Sequence, residues 1–277
     1  MAQFNPDAAR PIGLFDSGEG GLTVARAVAE LLPHEHLVYA CDTAHFPYGP
    51  RPLAQVRGFF LRFMEFFVAQ RCKMVIVACN TATAAAMDLL TAGAFPIPAL
   101  GVVQPGAAAA AAASVTGRIG VAATQGTCAS GIYPRAIRRL RPDALVVQQA
   151  CPILVIRAEE GVISGPEVRR EVERCLAPIL AERVDTLVLG CTHFPHMARV
   201  IQEVVGPEVR LVDPGKATAA QVADLLEARG LLNPGPGTGQ RRAFTTGDPE
   251  RFLEVSARLW PGGIEAAERL NLWSQPA

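Results

Sequence analysis

The sequence predicts an α/β protein: two similar lobes with mainly parallel sheets, related by a pseudo-two-fold axis, with the working site in the cleft between them. Three observations carry this. First, short apolar β-branched runs alternate with helix-length segments along the 277 residues, the pattern of βαβ units. Second, two of the runs end in related triplets. Met74-Val75-Ile76-Val77-Ala78 runs into Cys79-Asn80-Thr81, and Thr186-Leu187-Val188-Leu189-Gly190 runs into Cys191-Thr192-His193. Third, Arg118-Ile119-Gly120-Val121-Ala122-Ala123, leading into Thr124-Gln125-Gly126-Thr127, echoes residues 12–17 about 107 positions later. The two echoes are nearly in phase and imply an internal duplication. The expected division is residues 1–103 plus 213–277 for the first lobe and 104–212 for the second.

Bulk composition narrows the function classes. The chain exceeds the usual size of one core, and 50% apolar content is ample for two. Lysine plus arginine and aspartate plus glutamate are balanced at 26 each, so no basic field attracts nucleic acid or an anionic membrane. The basic run over 134–141 reads as the solvated face of a helix. Seven cysteines without a close CxxC pair suggest free thiols and a reducing compartment. Residues 1–11 lack the basic and apolar blocks of a signal peptide. The apolar tract over 97–115 is interrupted by Pro98, Gln104, Pro105 and Gly106 and fails as a membrane span. The expectation is a soluble, cytoplasmic protein.

In chain order, Ile12-Gly13-Leu14-Phe15 is a strand that enters the glycine-rich turn Asp16-Ser17-Gly18-Glu19-Gly20-Gly21, and a helix covers Leu22–Leu31. The turn lacks the dinucleotide spacing, because Thr23 stands where the third glycine belongs. Its glycines and the helix start still suit an anion such as a carboxylate. Leu37-Val38-Tyr39-Ala40 is a strand, followed by a proline-rich loop around Phe46-Pro47-Tyr48-Gly49-Pro50. Residues 56–70 form a helix dense in phenylalanine, either core or a dimer contact, with core the simpler reading. The first cysteine strand precedes a helix over 82–90. A strand at 99–103 leads to an alanine helix ending at Ala113. Strands follow at 118–123 and 145–147, then Cys151-Pro152, an apolar stretch at 153–156 and Glu159. A helix over 166–180 precedes the second cysteine strand, and another helix begins near Pro195 or His196. Residues 209–213 are a strand and 217–228 a helix. The proline-glycine run at 233–239 is a connector, and a helix over 250–259 ends the pattern.

Strand carboxyl ends are where open α/β sheets gather ligands. A thiol at one such end reads blandly as a small hydrophobe; two at equivalent ends, 112 residues apart, call for chemistry. With the lobes facing each other, Cys79 and Cys191 oppose one another across the cleft. One thiolate can then take a proton from a carbon while the opposing thiol returns one to the other face. A base needs a polarising neighbour, and Asp16 and His193 are the nearest candidates, with Glu159 at the rim. Asp16 would raise a thiol pKa, so it must receive the proton or orient the thiol. Cys41, Cys72, Cys128, Cys151 and Cys175 read as structural, with Cys41 and Cys151 the rivals to the chosen pair. Cys191, His193 and His196 lack the further ligand a metal site needs. His34, His36 and His45 read as surface or loop residues.

These residues also carry a resemblance. Asp16-Ser17-Gly18 with Gly20-Gly21-Leu22-Thr23, Asp42-Thr43 with Pro47-Tyr48-Gly49, Ala78 to Ala82, Cys151-Pro152 with Glu159, and Gly190 to Pro195 resemble the glutamate racemases of the aspartate/glutamate racemase superfamily over nearly the whole chain. The resemblance implies a cofactor-independent enzyme that makes D-glutamate for peptidoglycan and is often dimeric. It implies that Cys79 and Cys191 exchange protons with the substrate, assisted by Asp16, His193 and Glu159. By the same likeness Asp16, Ser17, Pro47, Tyr48, Gly49, Asn80, Thr81, Thr124, Thr192 and His193 hold the amino acid, and no metal is involved. Aspartate or another amino acid as substrate, and an inactive amino-acid binder, are the alternatives. Two positions depart from the pattern: Glu19 replaces an aliphatic residue, and Gln104 replaces a glutamate.

Overall fold

The computed structural model describes residues 5–273; the first four of the N-terminal residues weighed above lie outside them. The strands are β1 (Ile12–Asp16), β2 (Leu37–Cys41), β3 (Met74–Val77), β4 (Ala99–Gly101), β5 (Arg118–Ala123), β6 (Leu145–Ala150), β7 (Thr186–Gly190), β8 (Arg210–Val212), β9 (Arg241–Thr245) and β10 (Ala267–Arg269). The helices are α1 (Leu22–Leu31), α2 (Leu53–Ala69), α3 (Asn80–Ala85), α4 (Met87–Ala92), α5 (Val103–Ala113), α6 (Gln125–Ser130), α7 (Ile132–Leu140), α8 (Pro152–Glu159), α9 (Pro166–Ala181), α10 (Ala198–Val205), α11 (Pro214–Ala228) and α12 (Pro249–Leu259).

The strands form two wholly parallel sheets. One has the order β10-β9-β2-β1-β3-β4 and the other β6-β5-β7-β8. Without β9 and β10 the two orders coincide, strand for strand, so the duplication read from the echoes is a duplication of topology. It puts β3 and β7 in equivalent places, each beside its sheet's founding strand. β1, β2 and β7 are buried along their whole length, as strands covered by helices on both faces must be. That is why their sequences run apolar without alternation.

The phenylalanines of α2 go into the core. Phe60, Phe63 and Phe67 are fully buried, Phe59 and Phe66 pack against the same cluster, and the Phe63 ring lies 4.5 Å from that of Phe15. The helix expected over 82–90 is two helices. It starts at Asn80 because the Cys79 sulfur accepts the Ala82 N–H and caps it. It breaks at Ala86, where Arg57 takes up the Ala85 carbonyl. β6 runs on past Val147 through two glutamines because it is an edge strand, one side of which need not be apolar. The apolar stretch at 153–156 is the middle of α8, with Pro152 in its first turn. Among the described residues no helix is long and apolar enough to cross a membrane.

At the amino ends of the first sheet a buried ion pair fastens the chain. Lys73 pairs with Glu35 and donates to the carbonyls of Ala8 at 2.7 Å and Leu231 at 2.8 Å, while Glu35 accepts the Asn233 N–H at 2.8 Å. Removing one partner strands the other's charge in the interior. Lys73→Met is expected to cost about 3–5 kcal/mol of unfolding free energy, read by urea denaturation, and adding Glu35→Leu should recover most of it. A single variant within about 1 kcal/mol of the parent would contradict this.

Candidate active site

The carboxyl ends of β1, β3, β5 and β7 meet around one small cavity. The β1–α1 turn wraps Asp16, whose Oδ2 accepts the N–H groups of Gly21 at 2.9 Å and Gly18 at 3.3 Å. The Thr192 hydroxyl, from the end of β7, donates to the same oxygen at 3.4 Å. Burial raises the Asp16 carboxyl to about 6, against the opposing pull of His193 and the backbone N–H groups.

Cys79 sits at the end of β3 as the cap of α3. Its sulfur accepts the Ala82 N–H at 3.4 Å and its thiol points to the Ser17 hydroxyl at 3.6 Å. Burial, and then the nearby Asp16 carboxylate, push this thiol up to about 12. Cys191, at the end of β7, has different company. Its sulfur lies 3.6 Å from Nδ1 of His193, whose Nε2 is hydrogen-bonded to Glu159. Burial works against charge on the His193 ring, yet the bonds to Cys191 and Glu159 outweigh it and hold the imidazole well above its ordinary range. Burial likewise resists ionisation of Glu159, and the His193 contact overcomes it and leaves that carboxyl below its ordinary value.

The cavity, about 20 Å³, has room for a water molecule or so. Eleven of the residues expected at the site line it: Ser17, Pro47, Tyr48, Gly49, Cys79, Asn80, Thr81, Thr124, Cys191, Thr192 and His193. Asp16 and Glu159 stand behind this wall, joined to it through Thr192 and His193 respectively. The rival thiols are spent elsewhere, Cys41 on the Phe244 carbonyl and Cys151 on that of Gln149, each at 3.7 Å. Gln104, on α5, is not part of the lining.

Polar bonds tie the two sheets together across the cavity. The hydroxyls of Thr81 and Thr124 lie 2.8 Å apart, the Tyr133 hydroxyl donates to Asn80 Oδ1 at 2.7 Å, and the Gly126 N–H donates to the Gly49 carbonyl at 2.8 Å. The loop holding Pro47 to Gly49 is anchored by Asp42, which accepts from the hydroxyls of Tyr48 and Thr246, both at 2.7 Å.

A model of the Asp/Glu/Hydantoin racemase family matches residues 20–222. The chain belongs to that family. It is an amino-acid racemase, an isomerase. It is 85% identical to a glutamate racemase of Symbiobacterium thermophilum over 275 residues, 99% of each chain. Among solved structures, glutamate racemase isoform RacE1 of Bacillus anthracis superposes with a TM-score of 0.90 at 36% identity, over 95% of this chain and 97% of that one. The Francisella tularensis glutamate racemase in complex with D-glutamate does so with 0.89 at 31% identity, over 97% and 100%.

Sequence reasoning missed Phe46 and Val155, which also line the racemase's cavity, and the supports Asp42 and Tyr133. Val155 was findable. It precedes Glu159 by four residues on α8, so the two share a helix face. Gly20 has a packing reason of its own: a Cβ there would come within 2.6 Å of His193 Nδ1 and 2.7 Å of the Thr192 hydroxyl. Gly20→Ala should therefore displace both and slow racemisation about 100-fold or more, while costing only about 1–3 kcal/mol of stability. Rate assays with urea unfolding check this; a rate within about threefold of the parent, about 0.7 kcal/mol in barrier, would contradict the close approach.

Proposed function

We propose that the racemase interconverts L- and D-glutamate without a cofactor, using Cys79 and Cys191 as two bases on opposite faces of the substrate α-carbon. The observation that carries this is the placement of two thiols, one from each sheet at equivalent strand ends, in the wall of one cavity. In one direction a thiolate takes the α-proton and the C–H electron pair spreads into the α-carboxylate. The opposing thiol then protonates the other face, and the mirror-image centre results. Each turnover leaves the first sulfur as the thiol and the second as the thiolate; a turnover in the opposite direction, or proton exchange with water, resets the pair, and nothing is oxidised or reduced.

The two sides prepare their sulfurs differently. At about 12 Cys79 stays a protonated thiol, with almost no thiolate to act as a base, until a positive group arrives. The α-ammonium of a substrate held next to Asp16 supplies that charge and favours the thiolate. Cys191 has the His193 imidazole as its proton partner, oriented by Glu159. The hydroxyls of Ser17, Thr81, Thr124 and Thr192 and the Asn80 amide suit the two carboxylates of glutamate. The near-full-length likeness to the Symbiobacterium glutamate racemase, and to a Francisella enzyme in complex with D-glutamate, favours glutamate over aspartate. One methylene alone would discriminate only modestly.

The cavity is far smaller than an amino acid, so entry requires the two sheets to part. We assign the hinges to the crossings at 103/104 and 212/213, the lobe boundaries read from the sequence. The reading includes a cytoplasmic role in supplying D-glutamate for peptidoglycan. A homodimer, if one forms, uses a face other than the phenylalanine stripe of α2, which is spent on the core.

Cys79→Ser and Cys191→Ser are each expected to lower racemisation at least about 1,000-fold. The assay is optical rotation together with deuterium uptake at the α-carbon of each enantiomer in heavy water. Either variant keeping near-normal rates in both directions would rule out the two-base scheme. No exchange from either enantiomer by the unaltered protein would favour an amino-acid binder.

A further inference from the structure

We infer that Glu19 is a positioning residue for the Cys191 side of the reaction: as a neutral acid it donates a hydrogen bond across the cleft to Glu159, and so holds Glu159 against the His193 ring. The inference rests on the reading of Cys191 and His193 as a proton-transfer pair.

Glu19 belongs to the β1–α1 turn, on the side of the first sheet, whereas Glu159 ends α8 and His193 follows β7, on the side of the second. Glu19 is only 6% exposed, yet it does not line the cavity. Its partner is Glu159: the two side chains are hydrogen-bonded, and the Glu19 backbone N–H also points to the Glu159 carboxylate. The turn presses close there, since a Cβ on Gly18 would lie 3.0 Å from Glu159 Oε1. Glu159 in turn holds Nε2 of His193, whose Nδ1 faces Cys191. One chain of hydrogen bonds thus runs from the first sheet's turn to the second sheet's sulfur.

Two largely buried carboxyl groups in contact do not both ionise near neutral pH, and one keeps its proton. The bond from His193 settles which, because it favours the anion on Glu159. Among the described residues, the groups around Glu19 offer no competing cation. Beyond Glu159 and His193 it feels Tyr39 and Cys41 of β2, both neutral, and His196 beyond His193 stays uncharged because burial pulls it down to about 4. Arg157 of α8 is committed to Glu160, Glu167 and Glu171. Burial, and then Glu159, raise Glu19 to about 8. Below that pH a proton joins the two carboxyls. Above it two anions face each other, the bond across the cleft is lost, and Glu159 is pushed from its place against His193.

The test compares the unaltered enzyme with Glu19→Gln, whose amide can donate to Glu159 but cannot ionise. For glutamate, kcat/KM is followed from pH 6 to 10 in both directions. Mirror-image substrates have equal free energies, so the two directions must agree at every pH, which checks the assay. The unaltered enzyme should lose activity above about pH 8, by up to tenfold per pH unit. In Glu19→Gln that decline should begin at least about one pH unit higher. Profiles that superimpose would overturn the inference. A second measurement needs no turnover: with glutamate carboxyls labelled with ¹³C, NMR of the unaltered protein should show one carboxyl titrating near 8, absent from Glu19→Gln. If no glutamate carboxyl titrates above about pH 6, the inference also falls. An unaltered protein that does not racemise glutamate would sink the functional reading, and the NMR titration would still decide the protonation of Glu19.

Discussion

In the proposed two-base reaction the substrate carbon is reached from two opposite sides, and a single strand end can serve only one of them. That geometric demand explains the rest of the molecule. A parallel sheet directs all its carboxyl ends one way, so two sulfurs on opposite sides of one ligand call for two sheets with their carboxyl ends apposed. The duplicated orders β2-β1-β3-β4 and β6-β5-β7-β8 meet this demand with one supersecondary pattern used twice. The sulfur-bearing strands come out equivalent without separate design of either half.

Duplication makes the halves alike in topology and leaves them unlike in charge. Cys79 is served by a buried carboxyl, Cys191 by an imidazole fixed on a second carboxyl, and a third carboxyl, Glu19, braces that one. Among the described residues none of these three acids forms an ion pair with a lysine or arginine; His193 and backbone N–H groups carry the burden. Such a site weakens the fold that carries it. Asp16, shifted from 3.8 to about 6, and Glu19, from 4.5 to about 8, hold protons in the folded state that the unfolded chain has already released. Their contribution to stability is therefore lost progressively as pH rises through those windows. The Lys73–Glu35 clamp at the far end of the first sheet helps to fasten the chain there.

Much of this was legible before any coordinates. Apolar runs ending in Cys79 and Cys191 gave away the buried strands and their equivalence, because a strand covered on both faces has no room for polar alternation. Cys79, Asn80, Thr81, Cys191, Thr192 and His193 came with the same triplets, just past the strand ends, whereas Ser17, Pro47, Tyr48, Gly49 and Thr124 came from the family resemblance. Other features were hidden for identifiable reasons. The early start of α3 depends on a thiol acting as a cap, which composition does not advertise. The break at Ala86 involves an arginine 29 positions earlier. β6 carries glutamines that only an edge position tolerates. Glu19 read only as a departure from the family pattern, because its partner lies 140 residues away on α8; only the fold brings the two carboxyls together.

The account stands on where two sulfurs lie with respect to one tetrahedral centre, and a crystal structure of the enzyme with D-glutamate bound reads that directly. It should show the α-carbon between Cys79 and Cys191, each sulfur about 3.5–4 Å away and on opposite faces of the plane through the other three substituents. A complex with both sulfurs on one face, or with either too far from the α-carbon to exchange a proton, would contradict it.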